Sequence, residues 1–267
     1  NTAAAMQRLA DLAREAVPGD PEGVYLVGGT VRDLLAGRRP ADIDLLIRGD
    51  LARTAERIAA QTGGRIVDLG KTAFDLLRIA SPGRIVDLAP LTHRSIEADL
   101  RRRDFTINAM AYDIKARRLI DCTGGLADMR SRVIRVVTPA AFERDPARLV
   151  RAYRMAAAFA GRLSSATRSA VAAHCHRVTA VAGERIWAEL HELFSIADSA
   201  GTLRAMAASG LLTALFPELR PTMGCTQNRH HQWDVFDHSM QTYGHLETLL
   251  AQWDQRFGDR AADAAPA

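Results

Sequence analysis

Two aspartates separated by one isoleucine, Asp42 and Asp44 in "DIDLLI", interrupt an otherwise apolar run, and a glycine pair, Gly28-Gly29 in "LVGGTVRD", precedes them by little more than a short helix. In an extended strand, residues two apart project from the same face, so the two carboxylates stand side by side. They repel one another unless a cation lies between them. Hard oxygen donors of this kind suit Mg²⁺, which usually completes its shell with water and substrate phosphates. Gly28 and Gly29 leave backbone N–H groups bare where a helix begins, and those amides together with the helix dipole favour an anion. Taken singly, the glycines are a tight turn and the aspartates a strand-end pair. In this order they describe a phosphate cradle beside a Mg²⁺ dyad, the layout of a nucleotidyl-transfer site. Asp87 in "RIVDLAP" is a third aspartate inside an apolar run and a candidate to join it.

The basic residues point to the same kind of substrate. The formal net charge is +4 and the pI about 9.3, which hints at a polyanionic partner. Of 35 basic residues only Lys71 and Lys115 are lysines. Arginines cluster in "RRRD" (101–104) and "RDPARLVRAYR" (144–154). Arg148, Arg151 and Arg154 are three apart and drift slowly around one helix face. A guanidinium offers a fork of donors suited to phosphate, although a solvated surface face has the same pattern.

The elements that must position these groups follow from periodicity. Residues 5–16 read as an amphipathic helix, broken by "VPGDPEG"; "VYLVGG" reads as a buried strand ending in a glycine turn, with Thr30 placed to cap "VRDLLAG". "DIDLLI" and "RIVDLAPL" read as short strands, and "ARTAERIAAQTG" between them as a helix ending at Gly63-Gly64. The first part is therefore α+β around a small mixed sheet. From about Phe142 the chain is rich in Ala, Leu and Arg at helical spacing, with breaks at Gly161, Gly183, Gly210 and Pro217, and reads as all-helical. No internal repeat stands out. The 267 residues, 48% hydrophobic and 25% charged, are ordinary for a globular protein. No run is long enough for a membrane span, residues 1–20 are too charged for a signal peptide, and Cys122, Cys175 and Cys225 fall in no metal or redox spacing. A cytoplasmic protein with reduced thiols is expected.

Five blocks carry a resemblance: "LVGGTVRD…DIDLLI", "DLRRRDFTINAMA", "DCTGGLADMRSRVIRV", "DPARLVRAYRMAAAFAG" and "ERIWAELHELF". In this order they are similar to the successive motifs of class II tRNA nucleotidyltransferases and bacterial poly(A) polymerases, of the polymerase β superfamily. The resemblance implies a nucleotidyltransferase head with a small mixed sheet (1–137), a helical neck with a base-reading motif (138–195) and a helical body (196–267). It implies that Asp42 and Asp44 hold the catalytic Mg²⁺ and that Gly28, Gly29 and Arg32 cradle phosphates; Asp87, from its place in an apolar strand, is counted with the catalytic carboxylates. Arg103 and Asp104 are similar to residues that meet the nucleotide ribose, and Asn108 lies near the triphosphate. Asp145 and Arg148 match the pair that reads the incoming base, with Arg151 and Arg154 on the same helix completing the nucleotide-binding set. An aspartate accepts from an exocyclic amino group and an arginine donates to the adjacent ring nitrogen, so such a pair selects C and A without a nucleic-acid template.

The implied reaction is addition of C or A, from CTP or ATP, to the 3′ end of tRNA or another RNA. No membrane and no stable protein partner enter this reading. Arg151, Arg154, Arg162, Arg168, Arg177 and Arg185 are candidates to hold RNA phosphates.

Two departures stand out. Arg144 occupies the place before Asp145 where the family usually has Glu, and the segment before "RRRD" is the short "LTHRSIEADL". Full CCA-adding members carry a longer loop there, so a CC-adding or A-adding member is expected. "NRHHQWDVFDHSM" resembles the start of an HD-type phosphohydrolase domain, but helix capping is the preferred reading of its His231, Asp234 and His238. Poly(A) polymerase activity, a small-molecule nucleotidyltransferase and an idle RNA-binding module are the alternatives.

Overall fold

The computed structural model describes residues 2–19, 21–70, 76–197, 199–226 and 232–253. The chain divides into two compact units, residues 1–141 and 142–267.

The first unit is a seven-stranded mixed sheet with helices on both faces. Its strands are β1 (Val24–Val27), β2 (Ile43–Ile47), β3 (Arg65–Asp68), β4 (Leu77–Ser81), β5 (Arg84–Pro90), β6 (Ala111–Asp113) and β7 (Arg118–Ile120). They run in the order β3-β4-β5-β2-β1-β6-β7. β2 is parallel to β5, and the other pairings are antiparallel. On one face Leu26, Leu45 and Ile47 pack with Leu9 and Ala13 of α1 (Thr2–Ala16), Val31 and Leu34 of α2 (Gly28–Leu35), and Ile58 of α3 (Leu51–Thr62). On the other, Tyr25, Val27 and Leu46 pack with Ile96 and Leu100 of α4 (Ile96–Leu100). Burial on both faces is why β1 reads as an unbroken apolar run. The alternation also fixes the register, since a one-residue slip would drive Asp42 and Asp44 into the wrong core. α3 is bounded as its sequence reads: the Asp50 carboxylate accepts from the Arg53 N–H at 2.9 Å, and Gly63 ends the helix at φ +64°.

β3 and β4 add a hairpin that the sequence reading missed. The pentapeptide Arg-Ile-Val-Asp-Leu occurs twice, at 65–69 and 84–88. The first copy lies on edge strand β3, where Ile66 is half-buried and its neighbours exposed; the second lies on interior strand β5. A short helix, α5 (Gly125–Arg130), follows β7, and α6 (Ala140–Arg144) leads into the second unit.

The second unit is built from α7 (Arg148–Ala158), α8 (Ser165–His174), α9 (Gly183–Phe194), α10 (Ser199–Ala208), α11 (Leu211–Leu215) and α12 (Val235–Ala251). α7 buries Leu149, Val150, Ala152, Tyr153 and Met155, and α9 buries Leu190 and Leu193. The Glu247 carboxylate of α12 accepts from the backbone N–H of Ser199 (2.8 Å) and Ala200 (3.0 Å), satisfying donors at the start of α10. Asp234 caps α12, accepting from the N–H of Asp237 at 2.7 Å and of Gly224 at 2.6 Å. These backbone bonds hold its pKa below the ordinary carboxylate range. His238 is the first α12 histidine; His231 lies outside the described residues. Among the described residues no helix is long and apolar enough to cross a membrane.

Candidate active site

The chain leaves β1 and turns directly into α2 at Gly28, whose φ of +61° is left-handed. A Cβ there would lie 2.9 Å from Nη1 of Arg103 and 3.6 Å from Oδ2 of Asp44, so the bare backbone, the arginine and the carboxylate meet at this point. Thr30 does not cap the helix as its position in the sequence suggests. Because glycine lets α2 begin at residue 28, Thr30 falls inside the first turn, fully buried. Its hydroxyl instead accepts from the Asp44 N–H at 2.8 Å and donates to the Asp42 carbonyl at 3.3 Å. One threonine thus ties the glycine turn to the aspartate strand.

Asp44 shares the β2 face that carries Leu46 and stands opposite Asp87 in the parallel β2–β5 pair, and Asp42 lies just before β2, close enough for its charge to act on Asp44. The Asp44 carboxyl is pushed up to about 6, first by burial and then by the charges of Asp87 and Asp42, with Arg103 and Arg32 pulling the other way. A half-buried carboxyl flanked by two others is short of positive charge. That donor set, oxygens only on a strand face, fits a hard divalent cation. Asp87 is not gathered into it. Its two oxygens accept from Arg78 of β4, Nε at 2.7 Å and Nη2 at 2.8 Å. Among the described residues no three His, Cys, Asp or Glu side chains are assembled as a metal site.

The arginines and polar groups of the second block are joined to this turn. Arg32 donates to the neighbouring Asp33 carboxylate (2.9 and 3.0 Å) and, through Nη1, to Oδ1 of Asn108 at 2.7 Å. Asn108 in turn donates to Oδ1 of buried Asp104 at 3.1 Å. Arg103 is held by Asp99 at 3.0 Å. The third block braces this turn from behind. Asp121 accepts from the backbone N–H of Gly124, Gly125 and Leu126 at 2.8–2.9 Å. Gly125 lies so close to the Thr106 carbonyl that a Cβ would sit 2.2 Å from its oxygen. Asp128 accepts from Thr106 Oγ1 at 2.7 Å and from Arg135 at 3.0 Å, fixing the short 3-10 turn (Thr106–Asn108) that presents Asn108.

In the second unit Asp145 stands just before α7. Arg148, one turn on, approaches it at 3.6 Å, and Nη2 of Arg185 on α9 donates to both of its oxygens at 2.8 and 2.9 Å. Arg185 thus orients the carboxylate from α9. Arg151 and Arg154 are turned inward: each donates Nε to the buried Glu189 carboxylate of α9 at 2.6 Å. Their spacing along α7 therefore matches one acid on α9. Arg162, Arg168 and Arg177 are exposed. Glu189→Gln should lower stability by about 2 kcal/mol, because a charge-assisted bond is lost while both arginines still reach water. Urea unfolding checks this; an unchanged midpoint would mean that the clasp holds nothing.

Residues 24–135 match the poly(A) polymerase head domain, and residues 162–223 match a region described as a probable RNA and SrmB-binding site of polymerase A. An A-adding tRNA nucleotidyltransferase of Deinococcus radiodurans is 37% identical over 90% of this chain and 57% of its own. A CC-adding tRNA nucleotidyltransferase of Geobacter sulfurreducens is 36% identical over 73% of this chain and 45% of its own. Residues 24–135 carry the poly(A) polymerase head domain, and the chain as a whole is similar to tRNA nucleotidyltransferases. A Thermotoga maritima CCA-adding enzyme solved with tRNA shares its fold, with a TM-score of 0.74 at 29% identity over 88% of this chain and 55% of that one. The chain spans about half the length of the curated relatives it matches.

Within this fold, Gly28, Asp44 and Arg103 converge in the first unit, Asp42 flanks them just before β2, and Arg32, Asn108 and Asp104 form one hydrogen-bonded chain. Gly29 lies beside that chain, a Cβ on it falling 3.4 Å from Nη2 of Arg32. Asp145 and Arg148 are neighbours in the second unit. Sequence reasoning gave Thr30 only a capping role and passed over Asp33, Arg78, Arg185 as the partner of Asp145, and Glu189. Asp33 was visible in "VRD" beside an arginine; the other partners come from strands or helices distant in sequence.

Proposed function

We propose that this chain adds C or A from CTP or ATP to the 3′ end of tRNA in the cytoplasm, without a template and with Mg²⁺. The single observation that carries the reading is the meeting of Gly28, Asp44 and Arg103. It puts a bare helix N-terminus, a carboxylate and a guanidinium where a triphosphate and its counter-ion would be held together. Asp42 and Asp44 would hold Mg²⁺, which when bound supplies charge neutralisation for the triphosphate and for the attacking 3′-hydroxyl. The α2 amides and Arg103 bind phosphate oxygens, and Arg32 is steadied for the same task by Asp33 and Asn108. Asp104 and Arg103 face the ribose. Asp145 accepts from the exocyclic amino group of C or A while Arg148 donates to the adjacent ring nitrogen. The exposed Arg162, Arg168 and Arg177 hold RNA phosphates, a contact that fixes position and carries no sequence information. We assign residues 1–137 to the head, 138–195 to the neck and 196–267 to the body.

Within this reaction we infer addition of CC or of A alone. Half of the short segment between β5 and "RRRD" is taken up by α4, capped by Ser95 Oγ accepting from the Ala98 N–H at 3.2 Å, which leaves no long loop there.

The test offers labelled CTP or ATP singly to tRNA ending before the first C, after one C and after CC, with an aminoglycoside as a second acceptor. Label on one stage of tRNA supports the proposal and names the subtype. Label on the aminoglycoside alone would overturn it.

A further inference from the structure

Asp44, Asp87 and Arg78 stand in one row across β2, β5 and β4, since Asp44 pairs in register with Asp87 and Asp87 with Arg78. The Arg78 fork takes one lone pair from each Asp87 oxygen, at 2.7 and 2.8 Å. A dication approaching those oxygens meets a full positive charge at hydrogen-bond distance. Charge counting agrees. Asp42, Asp44 and Asp87 carry three negative charges, Arg78 returns one, and the remaining two match a single divalent ion. The nearby cations Arg103 and Arg32 are already held by Asp99 and Asp33. The clasp is also accessible, with the Arg78 side chain 34% exposed, so it competes with solvent ions rather than being sealed from them.

We propose that Arg78 is a positioning residue that withholds Asp87 from the metal, so that the β2–β5 pair takes one divalent ion on Asp42 and Asp44 instead of a tighter three-carboxylate site. This rests on the nucleotidyl-transfer reading above and specifies how its metal is bound. Without Arg78, both Asp87 oxygens are free beside Asp44 and the site gains a ligand and a unit of negative charge.

The experiment is Mn²⁺ titration of the full chain without nucleotide, followed by the free-ion EPR signal. Arg78→Met should bind Mn²⁺ about tenfold or more tightly than wild type. Asp87→Asn alone should weaken binding, since it leaves the Arg78 charge uncompensated beside the dyad, but by less than the same change costs in the Arg78→Met background, where Asp87 is a ligand. Adding Asp87→Asn to Arg78→Met should reverse the gain. Arg78→Lys keeps the charge without the fork and should show a smaller gain; it carries the test if the methionine variant does not fold. Unchanged or weaker binding without the fork would overturn the proposal, as would an equal loss from Asp87→Asn in both backgrounds. Asp44→Asn separates the two readings. If it abolishes Mn²⁺ binding while Arg78 variants do nothing, the dyad stands and the Arg78 role falls; if it binds as wild type, both fall.

Discussion

Asp44→Asn is expected to reduce nucleotide transfer by about 10³-fold or more, because a ligand to the charge-neutralising ion is lost and several kcal/mol of transition-state stabilisation go with it. The same substitution should stabilise the metal-free protein. The Asp44 carboxyl sits near 6 in the fold against an ordinary 3.8, so the folded state binds this proton more tightly than the unfolded chain does. Its contribution to stability is fully present below pH 4 and is lost as pH rises from about 4 to about 6. Above that, the ionised group costs up to roughly 3 kcal/mol, which asparagine avoids. Melting temperatures in EDTA should therefore be higher for Asp44→Asn than for wild type at pH 7.5, with the gap closing toward pH 4. Equal curves at both pH values would show that the carboxylate is already compensated, and retained activity would remove Asp44 from the chemistry.

The second large effect concerns base choice. Asp145 and Arg148 are 3.6 Å apart, and the Asp145 carboxylate is pinned by Arg185. An acceptor beside a donor matches the edge shared by cytosine and adenine and opposes that of uracil and guanine. Replacing Asp145 by Asn places an amide that can turn either way, and replacing Arg148 by Ala removes the donor. Either change should shrink the preference for C or A over U and G by about a hundredfold, the usual worth of a buried, charge-assisted pair. The measurement is kcat/KM for each of the four nucleotides. Unchanged ratios in Arg148→Ala would place base reading on other residues. Arg185→Ala should give a smaller loss, seen mainly in KM, because it orients the acceptor without touching the base.

Much of this was legible in the sequence for a local reason. The glycine turn, the Asp-x-Asp strand and the helices of the second unit are each announced by residues within a few positions of one another. The β3–β4 hairpin was not, because β3 is an edge strand whose exposed residues blur the alternation that marks β2 and β5. Arg78 was lost with it: nothing within "DLLRIA" says that β4 will lie against β5. Thr30 was misjudged because a cap is the commonest use of a threonine after a glycine turn, whereas Gly28 at positive φ starts the helix early. Arg151 and Arg154 read as a phosphate face, since helical spacing shows that arginines align but not what they face. The answer was Glu189, a buried acid in "ERIWAELHELF" whose pairing depends on how α7 meets α9.

The most direct test of the central claim is the intact mass of an RNA incubated with Mg²⁺ and one nucleoside triphosphate at a time. The 3′ end should grow by C or by A, by neither U nor G, and not at all with Asp44→Asn. An RNA that keeps its mass with CTP and with ATP at every stage of the tRNA terminus would contradict it.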